Sequence, residues 1–384
     1  MPIPRGFHLV KGVFNALSQP ETPADLLFFV TDRCNARCGH CFYRYAVDAP
    51  QGGDRLDLEK IAKIAASLRA PLHSVVLTGG EPFLRHDLAD IGEIFVETNQ
   101  AEMIVLTTNG LLTGPVVEQV GRLCARVKAR IYVQVSLDGL PPTHDSIRGQ
   151  LGAFQRVVAT ILALKQLQKQ NKHLDVTLAT TISQRNLQDL EPLADYVGDE
   201  LQVGHAFEIV RGVGFRDYTM LDPKIASDAG PVEADCAPPD LATFEELCVR
   251  LEKIFRYNAY RVTGKHNLWT PVVYAYRVQR FRHLLEVLKK RRPFHCPAGK
   301  SIGVIYSSGE VALCELTQSI GNLNDNNFDF PALWNSNRAN GMRSSIQRCY
   351  CPHGCFQSVA MMGEWRTYGR LLQSALSYCL LGSR

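Results

Sequence analysis

Short apolar, β-branched runs alternate with amphipathic helical patterns from residue 25 to about residue 210. This alternation is typical of repeated βα units around a parallel sheet. It predicts six strands, at Leu26 to Thr31, Ser74 to Thr78, Met103 to Thr108, Ile131 to Leu137, Asp175 to Ile182 and His205 to Ile209. It predicts helices between them, near Leu58 to Leu68, Leu88 to Asn99, Pro115 to Val127, Phe154 to Gln170 and Leu187 to Val197.

Each predicted strand is followed by a polar or glycine-rich turn. Ligands of parallel α/β folds bind at the carboxyl ends of the strands, so we expect the functional site in these turns. Six units are fewer than the eight that close a full barrel. The pattern therefore predicts an α/β fold with an open, partial (β/α)6 barrel that leaves room for a substrate.

The remainder of the chain has a different pattern. Residues 217–240 are rich in Pro, Asp, Ala and Gly, which indicates a linker or an active-site loop. A long helical segment is predicted from Leu241 to Lys290, with a break near Gly264 and Pro271. The predicted divisions are an N-terminal segment (1–24), the barrel (25–216), a linker with helices (217–292), a small cysteine-containing domain (293–357) and a helical tail (358–384).

Composition places the chain among ordinary soluble globular proteins. Hydrophobic residues make up 46% and charged residues 21% of its 384 residues. A net charge of +4 is too small to argue for a nucleic-acid partner by itself, and none is expected. The N-terminus lacks the features of a secretory signal, and no stretch approaches the ~18 apolar residues of a spanning helix, so a cytoplasmic location is expected.

The chain has 12 cysteines, and eight of them are clustered. Without an export signal, clustered cysteines indicate metal binding or catalysis more than disulfides. Cys34, Cys38 and Cys41 follow the first predicted strand, in a loop where three thiolates can converge on one inorganic centre. On a four-iron cluster they would leave one iron open for another ligand. The alternatives are a zinc site completed by His40 and three unrelated buried cysteines.

Further motifs follow this C-x3-C-x2-C loop in chain order, namely TGGEP, LTTNG and VSLDG at the ends of the second, third and fourth strands. With them the chain resembles the radical S-adenosylmethionine (SAM) superfamily over roughly residues 25–210. The resemblance implies a [4Fe–4S] cluster on Cys34, Cys38 and Cys41 that binds SAM through its amino and carboxylate groups. It also implies reductive cleavage of SAM to a 5'-deoxyadenosyl radical, which abstracts a hydrogen from the substrate.

The resemblance also implies SAM-binding residues. It assigns Gly79, Gly80 and Glu81 to the SAM amino group, and the two glycines permit close backbone approach to a ligand. The strand-end polar groups suit ribose hydroxyls and the methionine part of SAM, Arg148 resembles an arginine that pairs with the SAM carboxylate, and Thr181 is predicted to border adenine or substrate. These further residues are Asn109, Ser136, Asp138, Arg148 and Thr181. The alternatives are βα turns without a ligand and a surface arginine.

A second group of cysteines lies near the C-terminus. Cys296 and Cys314 have the spacing Cys-x12-Gly-x4-Cys and bracket a predicted hairpin, and Cys349, Cys351 and Cys355 follow. This pattern resembles the SPASM and twitch auxiliary-cluster domains, although a full SPASM pattern has more cysteines. We therefore expect one auxiliary iron–sulfur cluster, of the [4Fe–4S] type, with Cys349 and Cys351 as alternative ligands. A zinc ribbon is the structural alternative.

The basic helical segment from Arg277 to Arg292 is most commonly a solvated face. Its functional interpretations are an acidic partner, a phosphate-bearing substrate, a ferredoxin-type reductant or an anionic membrane surface. The apolar tail, LLQSALSYCLL, is too short to span a membrane and is predicted to cover the second domain or to dock a partner.

The function predicted from the sequence is a radical SAM oxidoreductase or maturase. It would use an auxiliary cluster to complete an oxidation or a bond formation on a natural-product, lipid, sugar or peptide substrate, with flavodoxin or ferredoxin as electron donor. The alternative is an iron–sulfur or zinc-structured electron-transfer or binding protein without radical chemistry. No general acid or base is assigned, because several residues are equally suitable.

Overall fold

The computed structural model describes residues 21–48, 56–211, 233–263, 270–290, 296–347, 356, 359–361 and 364–381. Six strands belong to the N-terminal half: β1 (Asp25–Thr31), β2 (Ser74–Gly79), β3 (Met103–Thr108), β4 (Arg130–Ser136), β5 (Leu174–Ile182) and β6 (Gly204–Ile209). Three shorter strands follow: β7 (Ile302–Ile305), β8 (Glu310–Ala312) and β9 (Ser319–Asn322).

Helices connect and cover these strands. Those of the N-terminal half are α1 (Arg44–Asp48), α2 (Leu58–Leu68), α3 (Leu88–Asn99), α4 (Thr113–Arg126), α5 (Pro141–Arg148), α6 (Ala153–Gln170) and α7 (Leu190–Tyr196). The remaining ones are α8 (Leu241–Thr263), α9 (Thr270–Lys290), α10 (Phe330–Trp334), α11 (Asn337–Ile346) and α12 (Trp365–Leu381).

All nine strands form one sheet in the order β6-β5-β4-β3-β2-β1-β7-β8-β9. Strands β1 to β6 are parallel neighbours, as the βα alternation predicts. Strand β7 is also parallel to β1, with Asp25 opposite Ile302 and Phe28 opposite Ile305. The first strand of the barrel is therefore interior to the sheet, and this explains why β1 is buried at all seven positions.

The predicted strands and helices agree closely with the observed ones. All six predicted strands are confirmed within one residue at each end, and α2 and α3 have the predicted bounds. The predicted break near Gly264 lies outside the described residues, which end at Thr263 in α8 and resume at Thr270 in α9. Pro271 lies in the first turn of α9, where its missing N–H costs no hydrogen bond. The predicted loop at 217–240 lies outside the described residues as far as residue 232.

Two helices of the N-terminal half were not predicted, and a third begins later than predicted. α1 and α5 are short, and their sequences contain too few turns for a helical period to be visible. The helix predicted from Leu187 begins at Leu190, because a 3-10 turn (Gln184–Asn186) precedes it. In that turn Ser183 and Asn186 form a reciprocal capping box that stabilises the non-α conformation.

A second core joins the late helices to the barrel. Phe207 of β6, Phe244 and Phe255 of α8 and Phe281 of α9 are buried together. Helix α12, part of the predicted helical tail, packs on α9 through the rings of Tyr274 and Tyr378, 4.9 Å apart. Among the described residues, no helix is both long enough and apolar enough to cross a membrane.

The C-terminal strands depend on one buried tryptophan. Trp334 is 1% exposed, and its ring stacks on Phe330 with centroids 5.6 Å apart. A Cβ at Gly303 of β7 would lie 3.0 Å from the Trp334 ring, so glycine is the residue that leaves room for this packing. The indole therefore packs β7 against α10, the first helix after β9.

We expect Trp334→Ala to lower the free energy of unfolding by about 3–5 kcal/mol, because it leaves a large cavity at this junction. Trp365→Ala is the matched control, since Trp365 is 78% exposed and its loss should change stability by less than about 0.5 kcal/mol. Urea unfolding followed by circular dichroism measures both. Equal effects of the two substitutions would contradict a role of Trp334 in joining β7 to the sheet.

Candidate active site

The cysteine loop after β1 borders a cavity of about 320 Å³ at the carboxyl ends of the parallel strands. Cys34, Cys38 and Cys41 all line it. The cavity also takes in most of the predicted SAM-binding residues, from the ends of β2, β3, β4 and β5 and from α5. These are Gly79, Gly80, Asn109, Ser136, Arg148 and Thr181. The tertiary structure thus brings together residues that lie up to 147 positions apart in the chain, from Cys34 to Thr181.

The TGGEP turn packs directly against the cysteine loop. The backbone N–H of Gly80 donates to the Thr31 carbonyl at 2.8 Å, and the N–H of Glu81 donates to the Arg33 carbonyl at 2.7 Å. A Cβ at Gly79 would lie 2.3 Å from the Thr31 carbonyl oxygen, and one at Gly80 would lie 2.1 Å from the Arg33 carbonyl oxygen. Both glycines are therefore needed for the backbone of the cysteine loop to pass this close.

Glu81 stabilises the TGGEP turn from the side that faces away from the cavity. It is fully buried and does not line the cavity. Its carboxylate accepts hydrogen bonds from the Asn109 N–H at 2.7 Å, from the Thr108 hydroxyl at 2.9 Å and from the Phe83 N–H at 3.2 Å. Burial nevertheless raises the pKa of Glu81 to about 7, although these three hydrogen bonds oppose the shift. The described contacts make Glu81 a positioning residue between β2 and β3.

The opposite side of the cysteine loop is held by α5 and the residues after it. The Arg37 N–H donates to the Arg148 carbonyl at 3.1 Å, and the Gly39 N–H donates to the Ile147 carbonyl at 2.9 Å. The Gln150 side chain donates to the Asn35 carbonyl at 2.9 Å. The loop is therefore fixed by backbone contacts from two directions.

Asn109 and Arg148 present polar hydrogens to the thiols themselves. The Asn109 amide nitrogen lies 3.9 Å from the Cys34 Sγ and 2.7 Å from the Asn35 side-chain oxygen. The Arg148 Nη1 lies 3.4 Å from the Cys38 Sγ. Both contacts therefore direct polar hydrogens at sulfur atoms of the cysteine loop.

Arg148 is anchored by a buried ion pair with Asp138. Its Nη2 lies 2.6 Å from the Asp138 Oδ2, and Asp138 is fully buried. Burial raises the pKa of Asp138, but Arg148, together with His40, His144 and the Thr181 N–H, outweighs burial and holds this pKa below its ordinary value. Asp138 also accepts a hydrogen bond from the Thr181 N–H at 2.9 Å. Asp138 therefore contacts other residues of the protein and, like Glu81, does not line the cavity.

Comparison with known proteins agrees with this geometry. The model of the radical SAM superfamily matches residues 28–197. Residues 28–197 are a radical SAM domain. The "AdoMet-dependent heme synthase" of Methanosarcina barkeri (strain Fusaro) is 32% identical over 176 residues, which make up 45% of this chain. The match covers 47% of that relative, so the chain spans about half of its length.

Two solved structures share the fold. "Native anSMEcpe with bound AdoMet and Kp18Cys peptide" has a TM-score of 0.59 at 14% identity and covers 94% of this chain and 99% of that one. Streptococcus suis SuiB bound to precursor peptide SuiA has a TM-score of 0.55 at 15% identity and covers 93% and 76%. These similarities confirm the predicted fold, an α/β radical SAM barrel followed by a C-terminal region.

A radical SAM domain implies a [4Fe–4S] cluster and SAM, and the cysteines present fit the cluster. Three thiols face one cavity, as a cluster with one open iron requires. Burial raises the pKa of Cys34, and burial together with the neighbouring Cys38 raises the pKa of Cys41 to about 12. Binding of an iron centre would release the protons of these thiols.

The second group of cysteines is described only in part. Cys296 and Cys314 are partly buried and pack against the main core, on either side of the β7–β8 hairpin. This confirms the predicted hairpin, which turns at Gly309 with a positive φ of 88°. The other predicted ligands, Cys349, Cys351 and Cys355, lie outside the described residues. The auxiliary cluster therefore stays a prediction.

Sequence reasoning did not identify one contact between the two halves of the chain. Arg211, two residues after the end of β6, forms an ion pair with Glu315, and its guanidinium lies over the Phe42 ring at 4.1 Å. All three side chains line the cavity. Glu315 directly follows Cys314, so the second cysteine group reaches the cavity wall. The only signal in the sequence was this adjacency to a cysteine, which does not reveal a partner 104 residues away.

We expect Gly80→Ala to displace the cysteine loop and to lower the bound iron and sulfide after anaerobic reconstitution to less than about half of the wild-type value, because the new methyl group would overlap the Arg33 carbonyl. Gly114→Ala in α4 is the control, since the methyl group that it adds would meet no other part of the fold within 4 Å. Circular dichroism establishes that both variants fold. Full iron loading of folded Gly80→Ala would refute the packing role of this glycine.

Glu81 predicts a pH dependence of stability. Because its pKa is raised to about 7 in the folded chain, its contribution is complete below about pH 4.5 and is lost as the pH rises through 7. The Gln side chain of Glu81→Gln does not titrate. The free energy of unfolding of the wild type, relative to that of the variant, should therefore fall by up to about 3 kcal/mol between about pH 5 and pH 8. Urea unfolding of both proteins across this range measures the difference. A constant difference would contradict the raised pKa.

Proposed function

We propose that the chain is a radical SAM enzyme that abstracts a hydrogen atom from its substrate and completes an oxidation or a bond formation with an auxiliary iron–sulfur cluster. The observation that carries the proposal is the convergence of Cys34, Cys38 and Cys41 with the ends of β2 to β5 on one cavity. The bound cluster and SAM supply one-electron reductive cleavage of the sulfonium, which yields methionine and a 5'-deoxyadenosyl radical.

The proposed roles of the residues follow from their positions. Cys34, Cys38 and Cys41 would hold the cluster, and Arg148 would place positive charge beside the Cys38 sulfur. Gly79, Gly80, Asn109, Ser136 and Thr181 line the cavity and are proposed to contact SAM. Glu81 and Asp138 are proposed to position these residues, because both carboxylates lie behind the wall. This differs from the direct contacts with SAM predicted for them from the sequence.

Apolar side chains in the cavity wall would protect the radical chemistry from water. Leu27 and Phe29 of β1 and Val76 of β2 line the same cavity. Such a wall would exclude water from the reacting groups and lower the local dielectric constant. Polar groups concentrate instead near Glu208, Arg211 and Glu315, where we place the substrate.

The second cysteine group is proposed to hold the auxiliary cluster through Cys296, Cys314 and residues among Cys349, Cys351 and Cys355. The ion pair between Arg211 and Glu315 supports this role, because it links the cavity to the residue that follows Cys314. A redox centre at this place would lie beside the substrate and could accept the electron that an oxidation releases. The external electron donor is proposed to be a flavodoxin or a ferredoxin.

The substrate is proposed to be a natural product, a sugar, a lipid intermediate or a peptide. A cavity of about 320 Å³ lies at the lower end of the range typical of small-molecule sites. The names of similar proteins include both classes, a heme synthase and enzymes solved with bound peptides. We propose a cytoplasmic location, where a reducing environment keeps thiols available for iron.

Anaerobic reconstitution tests the proposal. We expect about eight irons per chain, from two four-iron clusters, and release of 5'-deoxyadenosine when SAM and a reductant are added. Replacing Cys34, Cys38 and Cys41 with Ala should abolish this release and remove about four irons. Replacing Cys296 and Cys314 with Ala should remove the second centre and leave SAM cleavage measurable.

Cys124→Ala is the control for both sets, since Cys124 is a buried thiol in α4, away from either group. It should keep the full iron content and full SAM cleavage. Zinc in place of iron, with no 5'-deoxyadenosine, would overturn the proposal in favour of a zinc-structured binding protein.

A further inference from the structure

Helix α12 has one face against the protein and one apolar face exposed. The inner face is defined by Ser374, whose hydroxyl accepts a hydrogen bond from the Gln279 side chain at 2.6 Å, and by Tyr378, which packs on Tyr274. Thr367 on the same side is 4% exposed. These contacts fix the rotation of α12 about its axis, so the direction of its opposite face is determined.

The opposite face carries five large apolar side chains. Their exposed fractions are 78% for Trp365, 42% for Tyr368, 63% for Leu372, 54% for Leu376 and 85% for Leu380. Their spacing of three or four residues places them in one stripe along about four turns of helix. Soluble proteins rarely expose a continuous apolar stripe of this kind unless it binds something.

The charged side chains of α12 itself are both positive, and the acidic residue Glu364 directly precedes the helix. The sequence of α12 contains two arginines, Arg366 and Arg370, and no acidic residue. Arg366 lies against the Trp365 ring, with 5.4 Å between its guanidinium carbon and the ring centroid, and Arg370 forms an ion pair with Glu286 of α9 at 3.0 Å. A tryptophan and leucines with basic residues at the flank are characteristic of helices that lie in a membrane interface.

A second copy of the chain fits this face less well. In a twofold contact between two α12 helices, Arg366 and Arg370 would find no acidic residue of the partner's α12 to pair with. One helical stripe would bury on the order of 1,000 Å² in total from both copies, below the roughly 1,200–2,000 Å² of stable interfaces. An anionic lipid surface instead complements both the apolar stripe and its positive flank.

We propose that α12 docks the protein on the surface of anionic phospholipid membranes, with Trp365, Leu372, Leu376 and Leu380 in the interface and Arg366 among the headgroups. The helix would lie parallel to the membrane plane, because its other face is packed on α9. This inference concerns a surface outside the cavity and does not depend on the proposed radical chemistry.

Sedimentation with lipid vesicles tests the proposal. We expect the full-length protein to bind vesicles of phosphatidylcholine and phosphatidylglycerol, and to bind vesicles of phosphatidylcholine alone at least about tenfold more weakly. Leu372→Gln with Leu376→Gln should reduce binding by at least about tenfold through loss of apolar burial. Arg366→Glu should reduce binding to the anionic vesicles only.

Leu162→Gln in α6 is the matched control, because Leu162 is 47% exposed, similar to Leu376, and lies outside α12. It should bind like the wild type. A blue shift of tryptophan emission on adding anionic vesicles, absent in Trp365→Phe, gives a second measurement that needs no change to the leucines.

Two outcomes would overturn the proposal. The first is wild-type protein that stays in the supernatant with anionic vesicles and shows no emission shift. The second is a dimer in light scattering that Leu372→Gln with Leu376→Gln dissociates, since the occupant of the stripe would then be a second copy of this chain.

Discussion

The site depends on the close approach of two backbone segments, the cysteine loop after β1 and the TGGEP turn after β2. The Gly80 N–H donates to the Thr31 carbonyl, and the Glu81 N–H donates to the Arg33 carbonyl. The two backbone segments can come this close because Gly79 and Gly80 carry no side chains. The cluster proposed for Cys34, Cys38 and Cys41 would require this loop to have a single conformation, since the three thiols must converge on one centre. The two glycines allow the loop to pack directly on the TGGEP turn. The buried Glu81 connects this turn to the end of β3, because its carboxylate accepts a hydrogen bond from the Asn109 N–H.

The same loop is coupled to the rest of the barrel by charge. Arg148 lies between the Cys38 sulfur and the carboxylate of Asp138, and Asp138 also accepts a hydrogen bond from the backbone of β5. A guanidinium buried with a single carboxylate has donors to spare, and here one of them is directed at a thiol. The ends of β4 and β5 thus reach the cysteine loop through one side chain of α5, and no ligand is needed to connect them.

The C-terminal region is integrated into the barrel more closely than its separate cysteine pattern implied. Strand β7 pairs with β1, and Arg211 pairs with Glu315, so the region shares both the sheet and the cavity wall with the N-terminal half. Pairing with β7 also removes a free edge at β1, and an unpaired edge strand is a site of aggregation. Cys296 and Cys314 flank the β7–β8 hairpin, and β7 pairs with β1, the strand that directly precedes the cysteine loop.

The sequence by itself determined the elements of the barrel and the grouping of three cysteines in one loop, because both are local properties. Hydrophobic periodicity predicted β1 to β6 within one residue at each end, and Cys34, Cys38 and Cys41 lie within eight residues of one another in a single loop.

Only the tertiary structure decided which polar residues face the cavity. Glu81 and Asp138 stand in the expected motifs but point into the protein, where each accepts a hydrogen bond from a backbone N–H group. The pairing of β7 with β1 and of Arg211 with Glu315 joins residues far apart in the chain, and neither leaves a periodic signal. Likewise the apolar residues of α12 predicted a helix, but only its packing on α9 decided which of them face outward.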